Sequence, residues 1–360
     1  MIVPDPVAVI GAGNVGCALA ADLGLRGVEV RLFNRSPGRL AAIADAGGIT
    51  VTGQIEGFAA LSLMTGSLEQ AVEGAGVVAV TVPTASLPAY AAALAEATTD
   101  EQMIWLNPGH SGGALYLAAA LARAGRGERA ICQLTTASHI SRLTGPATVR
   151  VFLRSRASVA ALPGGALQVC HQRLDALLPG QFGQADSVLE ADLANLNAIL
   201  HPPGMVCNAG WIEATAGKFG FYAEGGGRAV ARVMDAIDAE RLALARALGV
   251  RAVPFAELFR RLGFTAGGPV PCGAYHAIQH SELIRPIQSP PKLDHRYLHE
   301  DVGWGLVPWM HLAAMINGID YPREGLTLQR MGLAGKTPAQ IRAHVGAPAA
   351  ELAGAPASRS

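Results

Sequence analysis

One histidine in this chain is set where it could move a proton. His201 stands directly before Pro202-Pro203 in the stretch LNAILHPPGMVCNAGWIE, residues 196–213. Neither proline has an N–H, and each pushes the residue before it out of the helical region, so a helix through 191–200 is expected to stop there. That leaves the His201 ring at or just past a helix end, with little local freedom. Histidine titrates nearest neutrality of all side chains, so a held imidazole in a cleft can give or take a proton. The same position also suits a histidine that caps the last carbonyls of its helix. Asn195 and Asn208 flank it, and an Asn-Ala-Gly-Trp turn follows at 208–211. These asparagines either orient a substrate or loop, or cap and turn the backbone.

A second polar run, KLDHRYLHEDV at 292–302, leads into the apolar segment GWGLVP. A solvated helix would explain the charges. The apolar segment that follows is expected to be buried, however, and charges held against a buried wall are paired or functional. An aspartate near His201 would fix its tautomer and raise its pKa, and an arginine nearby would grip a carboxylate with two parallel hydrogen bonds.

The elements that must position these groups are legible from the N-terminus onward. Residues 7–10 (VAVI) read as a parallel strand buried on both faces. Gly11-Ala12-Gly13-Asn14-Val15-Gly16 follows, then an Ala/Leu-rich helix to about Arg26, then a strand over 28–33. In that context G-x-G-x-x-G signals dinucleotide binding. The glycines serve a tight turn, a close pyrophosphate and close helix–strand packing, while bare N–H groups at the helix start face the phosphates. The second strand ends in Asn34-Arg35-Ser36, with Arg39 one turn on, where NAD-preferring sites tend to place an acid. An acid would repel a 2′-phosphate, whereas a guanidinium and a hydroxyl would bind one, so NADP(H) is favoured, with NAD(H) as the alternative.

The alternation continues. A helix is expected over 41–47, short strands over 49–57 and 61–64, a helix from 68 and a central strand over 77–82. That strand runs into Val82-Pro83-Thr84, and the next, 103–106, into Asn107-Pro108-Gly109-His110-Ser111-Gly112-Gly113. Loops at strand carboxyl ends line the cofactor cleft in such sheets, and this glycine density suggests backbone close to the nicotinamide end. Residues 131–137, 148–155 and 166–169 read as later strands, so a first domain should occupy 1–185. From Ser187 the period changes to 3.6, giving helices at 189–200, 228–248, 254–262, 274–280, 297–302 and 305–316 and a second, all-helical domain over 186–345. On the longest helix Val230, Val233, Met234, Ile237, Leu242, Leu244 and Leu248 form the core face, while Asp235, Asp238, Glu240 and Arg241 read as solvated. The Ala/Pro/Ser-rich residues 346–360 read as a disordered tail.

Composition narrows the partners. The 360 residues are half hydrophobic, and 28 basic side chains balance 28 acidic ones, so the chain offers no bulk attraction for nucleic acid or an anionic membrane. No apolar run reaches spanning length and no leader pattern precedes the first strand. Five scattered cysteines without metal spacing fit reduced thiols, a cytoplasmic location and no metal site.

The whole chain resembles the opine dehydrogenases, a family that includes the octopine, nopaline and N-(1-carboxyethyl)norvaline dehydrogenases. The resemblance rests on GAGNVG at 11–16, NPGHSGG at 107–113, NLNAILHPPGMVCNAGWIE at 195–213, FYAEG at 221–225 and DHRYLHEDVGWGLVP at 294–308. It implies a doubly wound parallel Rossmann sheet followed by an all-α domain. It also implies NAD(P)H-dependent condensation of an amino acid with an α-keto acid, often pyruvate, through an imine that hydride reduces. By the motifs, His201 is the catalytic histidine, Asp301 or Asp294 its partner with Asp301 favoured, and Arg296 the carboxylate holder. Asn208, Trp211 and His139 are expected to meet substrate, and a homodimer is expected. Two rivals are a hydroxy-acid dehydrogenase of the ketopantoate-reductase or 6-phosphogluconate kind and a non-catalytic NADP-binding sensor. The first places a lysine on the long helix, where this chain has none, since Lys218 and Lys292 lie elsewhere. The second would need no histidine, arginine and aspartate together.

Overall fold

Continuous apolar runs set the centre of the molecule. The computed structural model describes residues 5–265, 272–316, 333 and 336–344. In chain order its strands are β1 Val7–Ile10, β2 Val30–Phe33, β3 Gly48–Gly53, β4 Gly57–Ala60, β5 Leu63–Thr65 and β6 Val77–Val80. There follow β7 Met103–Leu106, β8 Ile131–Leu134, β9 His139–Gly145, β10 Thr148–Arg154, β11 Ser158–Leu162 and β12 Gly183–Gln184. Every residue of β1, β6 and β7 is buried, as expected of parallel strands covered on both faces. Among the described residues the main sheet has eight strands in the order β12-β11-β8-β7-β6-β1-β2-β5. The chain winds outward from β1 through β2 to β5, then returns to the other side of β1 and continues through β6, β7 and β8. The switch point between β1 and β6 opens the crevice where such sheets bind ligands.

The sheet is parallel from β5 to β8, but β11 runs antiparallel to β8. One strand expectation holds and one needs correcting. Residues 148–155 are a strand, outside the main sheet. They form β10, which pairs with β9 and β3 in a second sheet of order β4-β3-β10-β9, and the 49–57 stretch folds back on itself as the β3–β4 hairpin. Residues 166–169 are helical, since Leu167–Leu177 buries Cys170, Leu174 and Leu177 at helical spacing, and hydrophobic period decides the state.

One face of the main sheet, carrying Ile10, Val80 and Leu106, shares a single core with the helical half, and the other packs Val9, Ala79 and Trp105 on the helix Asn14–Leu25. The helical half begins with Val188–Leu193 and Leu196–Cys207, which Asn195 separates by capping the second. The helix was expected to stop at Pro202. Instead it runs through both prolines to Cys207, leaving the Ala198 and Ile199 carbonyls without intrahelical donors. Continuous burial from Ala198 to Met205 outweighs that loss. On the long helix Arg228–Leu248, Asp238 and Arg241 are buried rather than solvated. Arg241 bonds Asp238 and the Leu193 and Val253 carbonyls, and Asp238 accepts the Phe255 N–H, so the pair fastens three segments. Val233, read as core, is 41% exposed. Among the described residues no helix is long and apolar enough to cross a membrane, and residues 346–360 lie outside them.

Candidate active site

The nucleotide end is built by backbone. The helix Asn14–Leu25 starts at Gly13 with no side-chain cap and no acid in its first turn, so its first N–H groups stay available. A side chain at Gly16 would strike the Gly11 carbonyl at 1.7 Å, whereas one at Gly13 would meet nothing within 4 Å. The third glycine is therefore needed for packing, and the second faces room that a pyrophosphate fits. Asn14 spends its side chain holding the Leu143 N–H. Asn34 Oδ1 accepts the Ala12 N–H at 3.1 Å, and Arg39 Nε donates to the Ala12 carbonyl at 2.8 Å, so both brace the glycine loop. Arg35 and Ser36 are exposed beside them, with Arg35 6.0 Å from the Tyr90 ring centre.

The reactive end is built by side chains from both halves. His201 Nδ1 lies 2.6 Å from Asp301 Oδ2, and His201 Nε2 lies 2.8 Å from the Tyr222 hydroxyl. Asp301 is wholly buried and His201 is 5% exposed. The carboxylate accepts a hydrogen bond from Nδ1–H, which leaves Nε2 as the acceptor to which the tyrosine O–H donates. Tyr297 covers one face of the imidazole, with ring centres 3.6 Å apart and planes 12° apart. Burial holds the Tyr222 phenol well above the usual tyrosine range, and the Tyr297 hydroxyl and the Asp301 carboxylate push the same way.

Asp294 is corrected as a partner of His201. It precedes the helix Arg296–Asp301 at the surface and pairs with His299 and Lys292, whereas Asp301 closes the helix and faces inward. Arg296 sits on the same helix, half exposed, with Nε 3.2 Å from Glu300 Oε2. Glu300 is buried, and its Oε1 accepts the Thr84 N–H at 2.7 Å, joining the helical half to the loop Val82-Pro83-Thr84.

The loop 107–113 closes the arrangement. His110, held in left-handed backbone at φ 45°, bonds Thr84 through Nδ1 at 2.7 Å, and its Nε2 stands 3.8 Å from Asp301 Oδ1. Ser111 donates its N–H to the Trp304 carbonyl and its hydroxyl to the Asp192 carbonyl. Asn107 is tied to Ser138 on both sides of its amide, next to Pro108. Gly109 has an internal reason as well, because a side chain there would strike Gln133 Oε1 at 2.5 Å. Beneath the loop, burial pushes the Asp192 carboxyl up to about 7, opposed by hydrogen bonds from the Gly112 N–H and Gln133.

The three residues expected to contact substrate have partners within the protein. His139 is corrected: it is 1% exposed and locked by Ser138 and Asp22, since β9 turns it inward against the helix Asn14–Leu25. Asn208 gives its amide to the Gly204 and Gly225 carbonyls, where a helix end needs a donor. Trp211 stacks on Phe219 at 3.9 Å and is 40% exposed. Glu300, His110, Tyr222 and Tyr297 were not assigned roles from sequence. Each lies in a quoted motif, but Glu300 and Tyr297 stand within a run of polar residues where spacing alone singles out none.

A doubly wound sheet with an open glycine loop, joined to a helical half that carries a buried histidine–aspartate pair, defines a two-domain nicotinamide-dependent dehydrogenase. Residues 184–323 match the family model of the NAD/NADP octopine/nopaline dehydrogenase alpha-helical domain, and residues 7–161 that of ketopantoate reductase PanE/ApbA. An opine dehydrogenase of Arthrobacter sp. (strain 1C) is 32% identical over 364 residues, covering 96% of this chain and all of that one. The chain belongs to the opine dehydrogenase family and is an NAD(P)-dependent oxidoreductase. Octopine dehydrogenase, solved with NADH and L-arginine, shares the fold with a TM-score of 0.67 at 20% identity, over 95% of this chain and 89% of that one. Yersinopine dehydrogenase with NADP+ bound gives 0.62 at 17% identity, over 89% and 79%.

Proposed function

We propose that this protein joins the amino group of an amino acid to an α-keto acid, pyruvate being the first choice, and reduces the resulting imine, with NADPH preferred over NADH. The observation that carries the reading is the buried His201–Asp301 pair, whose aspartate ends the helix that Arg296 begins, beside the loops at the carboxyl ends of β6 and β7. Asp301 fixes the tautomer that leaves Nε2 basic. Arg296 binds the keto-acid carboxylate from the half-exposed side of its helix. Making an iminium from an ammonium and a ketone moves two protons from nitrogen to the departing oxygen, and His201 takes and returns each in turn. A bound nicotinamide supplies the hydride. The preference for NADPH is supported by the absence of an acid at 34–36 and by exposed Arg35 and Ser36, and yersinopine dehydrogenase is a family member solved with NADP+.

The test is oxidation of NADPH and of NADH with pyruvate across a panel of amino acids. Consumption that requires both pyruvate and an amino acid is expected. Consumption with a keto acid alone would instead assign the protein to the ketopantoate-reductase kind, which the 7–161 match keeps in view. Against that second reading, Lys218 is exposed and Lys292 pairs with Asp294 at the surface, so neither stands in the site.

A further inference from the structure

Both nitrogens of His201 are engaged within the protein. Nδ1 is held by Asp301 and Nε2 by the Tyr222 hydroxyl, while Tyr297 lies flat on the ring. A substrate atom therefore has no direct line to the basic nitrogen. What stands at that nitrogen is an oxygen that carries its own proton as well as lone pairs, with the Tyr297 hydroxyl set against it. Phe221, the preceding residue, flanks the same imidazole with its ring centre 6.3 Å away and has no hydroxyl, so filling space beside His201 does not require a phenol. Tyr222 is itself fixed. Its backbone carbonyl accepts the Gly226 N–H and the Gln279 amide, and its side chain is 4% exposed.

We propose that Tyr222 is a catalytic residue, the group that touches the substrate and carries protons between it and His201. In condensation the phenol oxygen takes a proton from the substrate ammonium while its own O–H proton passes to His201 Nε2. When the free amine has added to the ketone, the imidazolium returns that proton through the phenol to the new alkoxide, making the carbinolamine hydroxyl. A second round trip takes a proton from the adduct's nitrogen and delivers it to that hydroxyl, whose C–O bond breaks as water leaves. Each transfer breaks one phenol O–H bond and makes another, His201 gains or loses one N–H, and the tyrosine is neutral before and after. The high proton affinity that burial imposes on the phenol keeps it protonated between steps, as a two-way relay requires. Asp301 steadies the imidazolium formed in between.

This inference rests on the function proposed above. The test is Tyr222→Phe, assayed with the amino acid and keto acid that the wild type turns over. The expected result is a fall in kcat of about 100-fold or more, with KM for both substrates and NADPH affinity changed by less than about threefold. A kcat equal to or above wild type would overturn it, because a structural brace or an inhibitory cap would leave that outcome. Wild-type kcat in mixtures of light and heavy water is the second measurement, available even if the variant does not fold. Two protons in flight give a bowed dependence, and a straight one sinks the relay. A wild-type protein inert toward every pair removes the function and the relay together, whereas an active wild type with a fully active Tyr222→Phe removes the relay alone.

Discussion

Among the described residues two buried histidine–aspartate pairs are joined by a hydrogen bond, and they are built to opposite ends. In the first half His139 Nε2 stands 3.0 Å from Asp22 Oδ2, with Ser138 on the other ring nitrogen. Asp22 also takes Arg154 and Arg26, so both of its oxygens are saturated by cations. In the second half Asp301 meets His201 at 2.6 Å, has no guanidinium on it, and keeps Oδ1 without a hydrogen-bond partner. An acid whose charge is already spent on arginines cannot stabilise an imidazolium, whereas one that faces only histidines can. The difference between a fastener and a proton-transfer site thus lies in the aspartate's other neighbours rather than in the pair.

The sharpest break of this comparison is to remove each histidine. His201→Ala should lower kcat/KM by about 10³-fold or more in the coupled NADPH assay of the folded protein. His139→Ala should retain activity in the folded protein and lower stability by about 1–3 kcal/mol, read by denaturant melts. Full activity in His201→Ala would end the distinction. Next come the acids. Asp301→Asn should reduce kcat by about 10²–10⁴-fold through the wrong tautomer, while surface Asp294→Asn stays within about twofold.

Acid should separate the pairs through stability. Burial raises Asp22, but hydrogen bonds from His139, Arg154 and Arg26 outweigh it and hold the carboxyl well below its ordinary 3.8. Burial lowers His139 below its ordinary 6.5, with Asp22 opposing. Both folded values are depressed, so both contributions are complete above the ordinary values and fade as pH falls, His139's first and Asp22's below the carboxylate range. Melting temperature measured against pH should therefore drop less steeply below pH 4 in Asp22→Asn than in wild type, from a lower start; parallel curves would refute this. The smallest effect is at the coenzyme. Arg35→Ala should raise the KM for NADPH by about fivefold and leave that for NADH nearly unchanged, as suits one exposed guanidinium on a phosphate.

Much of this was legible because it is local. The glycine motif, the buried strands and the long helix follow from spacing and period, and GAGNVG predicts the open Gly13 that the structure has. Asp294 and Asp301 could not be told apart by spacing, because one lies before a helix cap and the other ends the helix, and only packing turns the second inward. Pro202 misled for a related reason, since burial of the surrounding turn overrides local preference. Asp238 and Arg241 look like a solvated i,i+3 pair until the Leu193 and Val253 carbonyls close over them. His139 was misassigned because its place near the substrate stretch is sequential, whereas strand alternation points it to the opposite side.

The brace on the glycine loop has a consequence for how such a protein changes over generations. Asn34 and Arg39 both hold Ala12, one through its N–H and the other through its carbonyl. Selection on coenzyme choice at these positions therefore acts on the phosphate loop at the same time, and most replacements of Asn34 would loosen it. Asn34→Asp keeps an acceptor at the Ala12 N–H and adds the negative charge that repels a 2′-phosphate, but it gives up the amide donor to the Ser36 carbonyl. Even the isosteric replacement therefore couples coenzyme charge to the shape of the loop.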